Sequence, residues 1–306
     1  MSDYDELIKA LGRLQTEQVN RNTINIDRLP ALEIVRKISD EDKKVASAVE
    51  KRLAEIAAAA EIFAQTIAGA GRVFYIGAGT SGRLGVLDAA ECPPTFGTDP
   101  KQIIGVISGG YDTLVLSKEG VEDSREAAVA DLKSHNFASR DFLIGLAASR
   151  RTPYTVAGLQ YAKAVGAKTA FIVCNTTSQL SDREPTPDIL IELEVGPEVI
   201  TGSTRMKSGT AQKMTLNMIS TTAMVLLGKT YGNLMVDLQA RSEKLAARSR
   251  KILMDLFEIT SDRADQVLRQ ADGLVKVAVV MLKYECDAAS ARDKLNRANG
   301  FISKIE

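Results

Sequence analysis

The sequence is poor in the residues that build most metal sites. It contains one histidine, His135, no tryptophan, and three widely spaced cysteines, Cys92, Cys174 and Cys286. One histidine cannot supply a multi-histidine metal site, and scattered cysteines lack the paired spacing of a zinc site. An odd number of such cysteines argues against a disulfide framework and is typical of a reducing compartment. We therefore expect no metal and a cytoplasmic location.

A surplus of charge of one sign is also absent. Lysine plus arginine and aspartate plus glutamate each number 39, so the formal net charge is zero. Nucleic-acid-binding proteins usually carry a basic surplus, so no nucleic acid is expected as a partner. The longest apolar-rich stretch, residues 214–227, is too short for a membrane span, and the polar N-terminus lacks the apolar core of a signal peptide. No membrane partner is expected.

The hydrophobic residues, 45% of the chain, fall into short runs separated by amphipathic stretches. Five runs have the length of buried strands, with helical patterns near 118–134 and 153–165 between them. Strands that alternate with helices favour a parallel sheet covered by helices on both faces. We predict an α/β fold with a doubly wound, mainly parallel five-stranded sheet, whose strands lie at 72–79, 102–110, 141–149, 167–175 and 188–195.

Other segments suggest a division of the chain into three parts. The first 38 residues have the pattern of an irregular arm, and Ser39 with Asp42 has the spacing of a capping box that would open a long helix ending at Gly69. Three short helical patterns occupy the last part of the chain. We therefore predict an arm at 1–38, a ligand-binding α/β domain at 39–240 and a small C-terminal helical region at 241–306.

A glycine-rich turn follows the first predicted strand. Residues 77–83 read Gly-Ala-Gly-Thr-Ser-Gly-Arg and open the next helix. Glycines permit a tight turn, and free backbone N–H groups favour an anion, with Thr80 and Ser81 adding hydroxyl donors. The same pattern opens dinucleotide sites, but those need an acid at the end of the next strand, where 108–110 reads Ser-Gly-Gly. We predict a phosphate site at Gly79, Thr80 and Ser81, and no redox cofactor.

Two further polar turns are expected at the same edge of the sheet. Ser149 and Thr152 follow the third predicted strand, and the polar stretch 201–213, which contains Ser203 and Lys207, opens a long helix. Ligands of open α/β sheets bind beyond the carboxyl ends of the strands. A plain helix cap would explain one or two of these residues but not their density. We predict that all four side chains bind the substrate or its phosphate.

Two acidic segments could transfer protons. Glu91 precedes two prolines in the sequence Glu-Cys-Pro-Pro-Thr, which predicts a stiff loop after the helix of the glycine-rich turn. Glu122 lies in the acidic segment 119–123, after the second strand. Most acids in such places are solvated or cap a helix, so composition alone leaves the choice open. Cys92 is predicted to be structural, because no histidine lies near it in the sequence.

These motifs together resemble the sugar isomerase domain family, and within it the enzymes that cleave a lactyl ether from a sugar phosphate. The resemblance implies a flavodoxin-like sheet within 39–240, a sugar phosphate as ligand, no cofactor and a homodimer. It implies that Glu91 protonates the leaving ether oxygen and that Glu122 is a second active-site acid. We assign Glu122 the role of general base at C2 of the sugar. The matching segments are 16–29, 40–45, 77–97, 119–126, 151–163, 201–214 and 232–240.

Two positions depart from the pattern of this family. Arg150 stands where the family has a glycine, so it would strain its loop if φ is positive there and would otherwise add charge beside the phosphate. Tyr111 stands where a glutamate is usual, so it is given no catalytic role. Two alternatives stay open: a sugar-phosphate-binding regulator without catalysis, and an aldose–ketose isomerase. The presence of both Glu91 and Glu122 favours catalysis over a regulator, and release of D-lactate would separate ether cleavage from isomerisation.

Overall fold

The computed structural model describes residue 12 and residues 14–176, 186–238 and 243–306. These residues form two compact units. One comprises the described parts of Met1–Ala89 and Ile103–Ser220, and the other comprises the described parts of Ala90–Gln102 and Thr221–Glu306. Residues 1–11 and 13 of the predicted arm lie outside the described part. None of the helices formed by the described residues has the length and apolar character needed to cross a membrane.

Among the described residues, a five-stranded sheet organises the first unit. Its strands are β1 (Val73–Gly77), β2 (Ile103–Ile107), β3 (Phe142–Leu146), β4 (Lys168–Val173) and β5 (Ile189–Glu192). The strand order is β2-β1-β3-β4-β5, and every neighbouring pair is parallel. Each strand falls inside the run predicted for it, and the order is that of the flavodoxin-like fold. The predicted fold class is confirmed.

Side chains that alternate along β1 contact helices on opposite faces of the sheet. The helices of this part of the chain are α1 (Ala31–Glu50), α2 (Leu53–Ala68), α3 (Gly79–Phe96), α4 (Asp112–Val115), α5 (Arg125–Ser134), α6 (Pro153–Ala164) and α7 (Lys207–Leu226). Ile76 lies against α6, because a Cβ added to Gly158 would stand 2.5 Å from its Cδ1. Tyr75 faces α3, where its hydroxyl donates to Asp88 Oδ2 at 2.8 Å. Helices therefore cover both faces, as the continuous apolar runs predict.

The first long helix begins earlier than its capping signal predicts. It starts directly after Pro30, so the start predicted at Ser39 is wrong. The helix is also interrupted between α1 and α2, where Arg52 has a non-helical φ of −118°. The Arg52 guanidinium donates through Nε to the carbonyl oxygen of Glu192 at 2.8 Å. This tertiary contact with the end of β5 explains the break, which periodicity along the chain cannot reveal.

The second unit is mainly helical. Its elements beyond the end of α7 are β6 (Thr230–Tyr231), β7 (Leu234–Met235), α8 (Glu243–Phe257), α9 (Ser261–Gln270), α10 (Val275–Lys283) and α11 (Ala288–Arg297). The three short helices predicted near the end of the chain are confirmed. Two of them have side-chain caps, because Thr260 and Asp287 each accept a hydrogen bond from a backbone N–H three residues later. The valines of α10 are buried in the core of this unit.

Candidate active site

A polar cleft of about 380 Å³ lies at the carboxyl ends of β1, β2 and β3. Its walls carry the residues that follow these strands, as expected for the ligand site of an open α/β sheet. Ser203 and Lys207 are not among the described residues that line it. The predicted site residues that the structure brings together there are Gly79, Thr80, Ser81, Glu122, Ser149 and Thr152.

The turn between β1 and α3 has the geometry of an anion site. A Cβ on Gly82 would stand 2.6 Å from the carbonyl oxygen of Gly77, so a side chain at this position would force the helix away from the strand. Gly79 has a left-handed φ of 54°, which favours glycine. The first N–H groups of a helix lack partners within it, and the helix dipole is positive there. The start of α3 can therefore bind a phosphate beside Thr80.

The Ser81 hydroxyl lies at the cleft but already donates its proton within the protein. It forms a 2.8 Å hydrogen bond to Gln212 Oε1 on α7. A phosphate dianion only accepts hydrogen bonds, so it cannot use the remaining lone pairs of this oxygen. A contact between Ser81 and a phosphate therefore requires the backbone N–H or a rotation of the hydroxyl.

Glu122 is held at the cleft by its neighbours in the chain. The hydroxyl of Ser108, at the end of β2, donates to the carbonyl oxygen of Val121 at 2.5 Å. Arg83, in the first turns of α3, donates through Nη2 to the carbonyl oxygen of Thr113 at 2.5 Å. These bonds connect the segment that carries the glutamate to the glycine-rich turn. The predicted acid is thereby placed beside the predicted phosphate site.

Glu91 lies on a helix rather than in the predicted loop. Residues 79–96 form one helix, α3, which includes Pro93 and Pro94, so the prediction of a loop is wrong. A proline φ of about −65° fits a helix, and its cost comes from the missing N–H and a clash with the preceding turn. Here the helix ends at Phe96, so little of it follows the prolines. Glu91 is exposed and belongs to the second compact unit.

Lys207 is buried in an ion pair away from the cleft walls. Its Nζ lies 2.7 Å from Glu41 Oε2, and the two side chains are 1% and 4% exposed. Its backbone N–H and that of Ser208 donate to the Glu198 carboxylate, which caps α7. A phosphate contact would require this pair to break. The predicted phosphate roles of Lys207 and of half-buried Ser203 have no support from this geometry.

Arg150 has the left-handed conformation in which an arginine strains the loop. Its φ is 64°, and its side chain is buried, with Nη1 3.0 Å from Glu192 Oε1 on β5. Of the two outcomes weighed for this position, positive φ is the one found. The guanidinium binds the end of β5 and does not line the cleft. The exchange of glycine for arginine thus adds a buried ion pair at the cost of backbone strain.

Replacing Arg150 with glycine is expected to lower the free energy of unfolding by about 1–4 kcal/mol. Glycine removes the strain of the left-handed backbone, which raises the free energy of unfolding by about 1–2 kcal/mol. Loss of one partner of a buried ion pair lowers it by about 3–5 kcal/mol. Urea denaturation measures the difference, with Arg151→Ala at the exposed neighbouring position as control. A variant more stable than the parent would mean that strain outweighs the ion pair.

Two cysteines are buried and unsuited to nucleophilic catalysis. Burial raises the pKa of the Cys174 thiol to about 12, so the thiolate is scarce at neutral pH. Cys92 is 2% exposed. The structural role predicted for Cys92 fits this burial.

Several residues that line the cleft had no role predicted from the sequence. Arg83 ends the glycine-rich motif and Ser108 ends β2, so position relative to a strand was an available signal for both. Glu17 lies in a segment that matches the family, yet nothing in its pattern places it near β1. The polar cleft residues for which the sequence predicted no role are Glu17, Arg83, Ser108, Thr113, Ser117, Lys118, Glu119 and Thr204.

Comparisons with curated proteins find relatives that are similar over most of the chain. A family model described as the glucokinase regulatory protein N-terminal SIS domain matches residues 55–163. The N-acetylmuramic acid 6-phosphate etherase of Clostridium beijerinckii is 51% identical over 294 residues, and that of Actinobacillus pleuropneumoniae is 49% identical, each alignment covering 96% of both chains. Among solved structures, a phosphoheptose isomerase from Neisseria gonorrhoeae is 15% identical with a TM-score of 0.49, covering 63% of this chain and 98% of that one.

Proposed function

The chain belongs to the family of N-acetylmuramic acid 6-phosphate etherases, and we propose that it is a carbon–oxygen lyase of this kind. It cleaves the D-lactyl ether at C3 of N-acetylmuramic acid 6-phosphate with the uptake of water. The products are N-acetylglucosamine 6-phosphate and D-lactate. Because the substrate derives from peptidoglycan, the reaction serves the recycling of cell-wall amino sugars.

One observation carries the proposal for the site: a carboxylate and an anion-binding turn share one cleft. Glu122 lines the same 380 Å³ space as Gly79, Thr80, Ser149 and Thr152. Hydroxyl groups and the N–H groups at the start of α3 suit the 6-phosphate. Glu122 suits proton abstraction from the sugar that this phosphate anchors, because general base catalysis needs a carboxylate held within reach of its proton.

The proposed chemistry is an elimination followed by a hydration. In the open-chain sugar C1 is an aldehyde, which makes the C2 proton acidic. Glu122 takes this proton and leaves an enolate across C2 and C1. The electron pair of the enolate then forms the C2=C3 double bond as the C3–O bond breaks and the C1 aldehyde is restored. The leaving oxygen receives a proton and departs as the hydroxyl of D-lactate. Water then adds at C3 and a proton returns to C2.

Glu91 is proposed to protonate the leaving oxygen. An ether oxygen is a poor leaving group, so a positioned acid must deliver a proton as the bond breaks. The support for Glu91 is the match of Glu-Cys-Pro-Pro-Thr to the family motif. The phosphate contact predicted for Ser81 stands as a proposal on the same footing.

Release of D-lactate tests the proposed function. The purified chain should produce D-lactate and N-acetylglucosamine 6-phosphate in equal amounts from N-acetylmuramic acid 6-phosphate. In water enriched in ¹⁸O, the label should enter the C3 hydroxyl of the sugar and not the lactate, since the C3–O bond breaks. Substrate that binds without releasing lactate would point to a regulator. Interconversion of aldose and ketose without lactate would point to an isomerase.

We further propose that the chain works as a homodimer in the cytoplasm. Large apolar side chains of the arm and of α1 are exposed, as expected of a surface covered by a partner; they are Val19, Ile24, Leu32 and Val35. Free cysteines suit a reducing compartment. Sedimentation equilibrium at twice the chain mass of 33.0 kDa would support the dimer, and a monomer at micromolar concentration would contradict it.

A further inference from the structure

A short segment near the N-terminus is hydrogen-bonded to residues that follow β4 and to the loop before α7. Thr16, which is fully buried, donates its N–H to Asn175 Oδ1 at 3.3 Å and accepts from the N–H of Gly202 at 3.3 Å. Asn175, also fully buried, donates through Nδ2 to Thr16 Oγ1 at 3.1 Å and to the carbonyl oxygen of Ala148 at 2.9 Å. The segment is thereby connected to the loop after β3, which forms one cleft wall.

Two further residues of this segment, Asn20 and Thr23, are hydrogen-bonded to the chain that follows β5. Asn20 donates to the carbonyl oxygen of Pro197 at 3.1 Å, and Thr23 donates to that of Val199 at 2.8 Å. Buried polar side chains that all find partners fix a segment in one position. This part of the predicted arm is therefore held against the rest of the first unit by hydrogen bonds.

The anchored segment brings a further carboxylate to the cleft, in addition to those of Glu119 and Glu122. Glu17 follows Thr16 and lines the cleft together with Thr204. Its Oε2 lies 3.1 Å from the place where a Cβ would stand on Gly202, whose φ is 76°. Glycine at 202 therefore leaves room for the glutamate side chain. The proposed elimination assigns no role to Glu17.

We propose that Glu17 contacts the sugar of the substrate and selects its orientation. An ionised carboxylate only accepts hydrogen bonds, and it repels the 6-phosphate and the lactyl carboxylate. The donors of the proposed substrate are its hydroxyl groups and the N–H of the acetamido group, so these must face Glu17. The phosphate is then directed to the turn at Thr80. This inference rests on the proposed sugar-phosphate substrate but not on ether cleavage.

Calorimetric binding to the full chain separates Glu17 from the catalytic proposal. The titrants are N-acetylglucosamine 6-phosphate and inorganic phosphate, and neither requires turnover. Glu17→Gln should weaken binding of the sugar phosphate about tenfold or more, since it removes a hydrogen bond to a charged group. Binding of inorganic phosphate should change less than about twofold. The affinity of Glu17→Asp for the sugar phosphate should lie between the affinities of Glu17→Gln and the parent. Glu33→Gln, at an exposed position of α1, should bind as tightly as the parent.

Three results would overturn the inference. Equal affinity of parent and Glu17→Gln for the sugar phosphate would show that the carboxylate makes no contact. An equal loss for both titrants, or a lowered melting temperature, would show that Glu17 acts on the fold of the cleft. Parent protein that binds inorganic phosphate but not the sugar phosphate would remove the ligand on which the inference rests. D-lactate release, measured in parallel, reports on the proposed function alone.

Discussion

Replacing Glu122 with glutamine is expected to lower kcat for D-lactate release by about 10²–10⁴-fold, the usual contribution of a positioned general base. Glutamine has nearly the same size and can keep the segment between β2 and α5 in place, but it cannot take a proton from C2. KM should change little, because the phosphate contacts of the cleft remain. Steady-state kinetics with N-acetylmuramic acid 6-phosphate measure both quantities.

Exchange of the C2 proton identifies the step that each acid serves. In deuterated water the parent should exchange the C2 hydrogen of N-acetylglucosamine 6-phosphate, because the reverse of the last step removes that proton. Glu122→Gln should lose this exchange. Glu91→Gln should lose lactate release yet retain exchange, since the proposed role of Glu91 concerns only the oxygen at C3.

A matched control and a contradicting result are available. Glu126→Gln changes an exposed acid in the first turn of α5 and should leave kcat within about twofold of the parent, as surface substitutions usually do. Rapid C2 exchange in Glu122→Gln would assign the base to another group. Loss of exchange in Glu91→Gln and not in Glu122→Gln would reverse the two roles.

Replacing Lys207 with methionine should destabilise the first unit by about 3–5 kcal/mol. The change leaves the Glu41 side chain, 4% exposed, without its buried cation, so that the exposed Lys44 is its remaining ion-pair partner. Removal of one partner of a buried pair has a cost of this size. Methionine keeps most of the volume of the lysine stem, so the loss reflects charge and not a cavity. Urea denaturation measures it.

The double variant Glu41→Leu with Lys207→Met provides the control for this prediction. Replacement of both partners by apolar residues is often nearly neutral, so the double variant should recover much of the loss. An equal loss in single and double variants would mean that the pair has no specific role. A selective loss of phosphate binding in a fully folded Lys207→Met variant would instead restore the predicted contact between Lys207 and the phosphate.

The same pair predicts how stability depends on pH. Burial alone would raise the pKa of Glu41, but hydrogen bonds from Lys207, Lys44 and Asn22 lower it to about 2. The unfolded value is 4.5, so the ionised side chain stabilises the fold fully above pH 4.5. This contribution should disappear as the pH falls from 4.5 to about 2. Glu41→Gln should show a shallower acid dependence over that range, and an unchanged slope would contradict the pairing.

The alternation of apolar runs and helical patterns was enough to predict the sheet. Local side-chain periodicity reports burial, and a parallel strand such as β1 or β3 is buried along its whole length. The glycine-rich turn was predictable for a similar reason. Its requirements, the close approach at Gly82 and the left-handed Gly79, arise within a few residues of chain.

Only the tertiary structure decided where several polar side chains lie. Glu17 lies at the cleft because Thr16 binds Asn175, which is 159 residues away in the chain. Lys207 lies away from the cleft walls because its ammonium binds Glu41, which is 166 residues away. Neither partner is marked by a motif. Sequence determined the fold class and the phosphate turn, since both depend on neighbours in the chain. Which charged groups face the cleft depends on long-range pairs, because a buried charge goes to the partner that best offsets its desolvation.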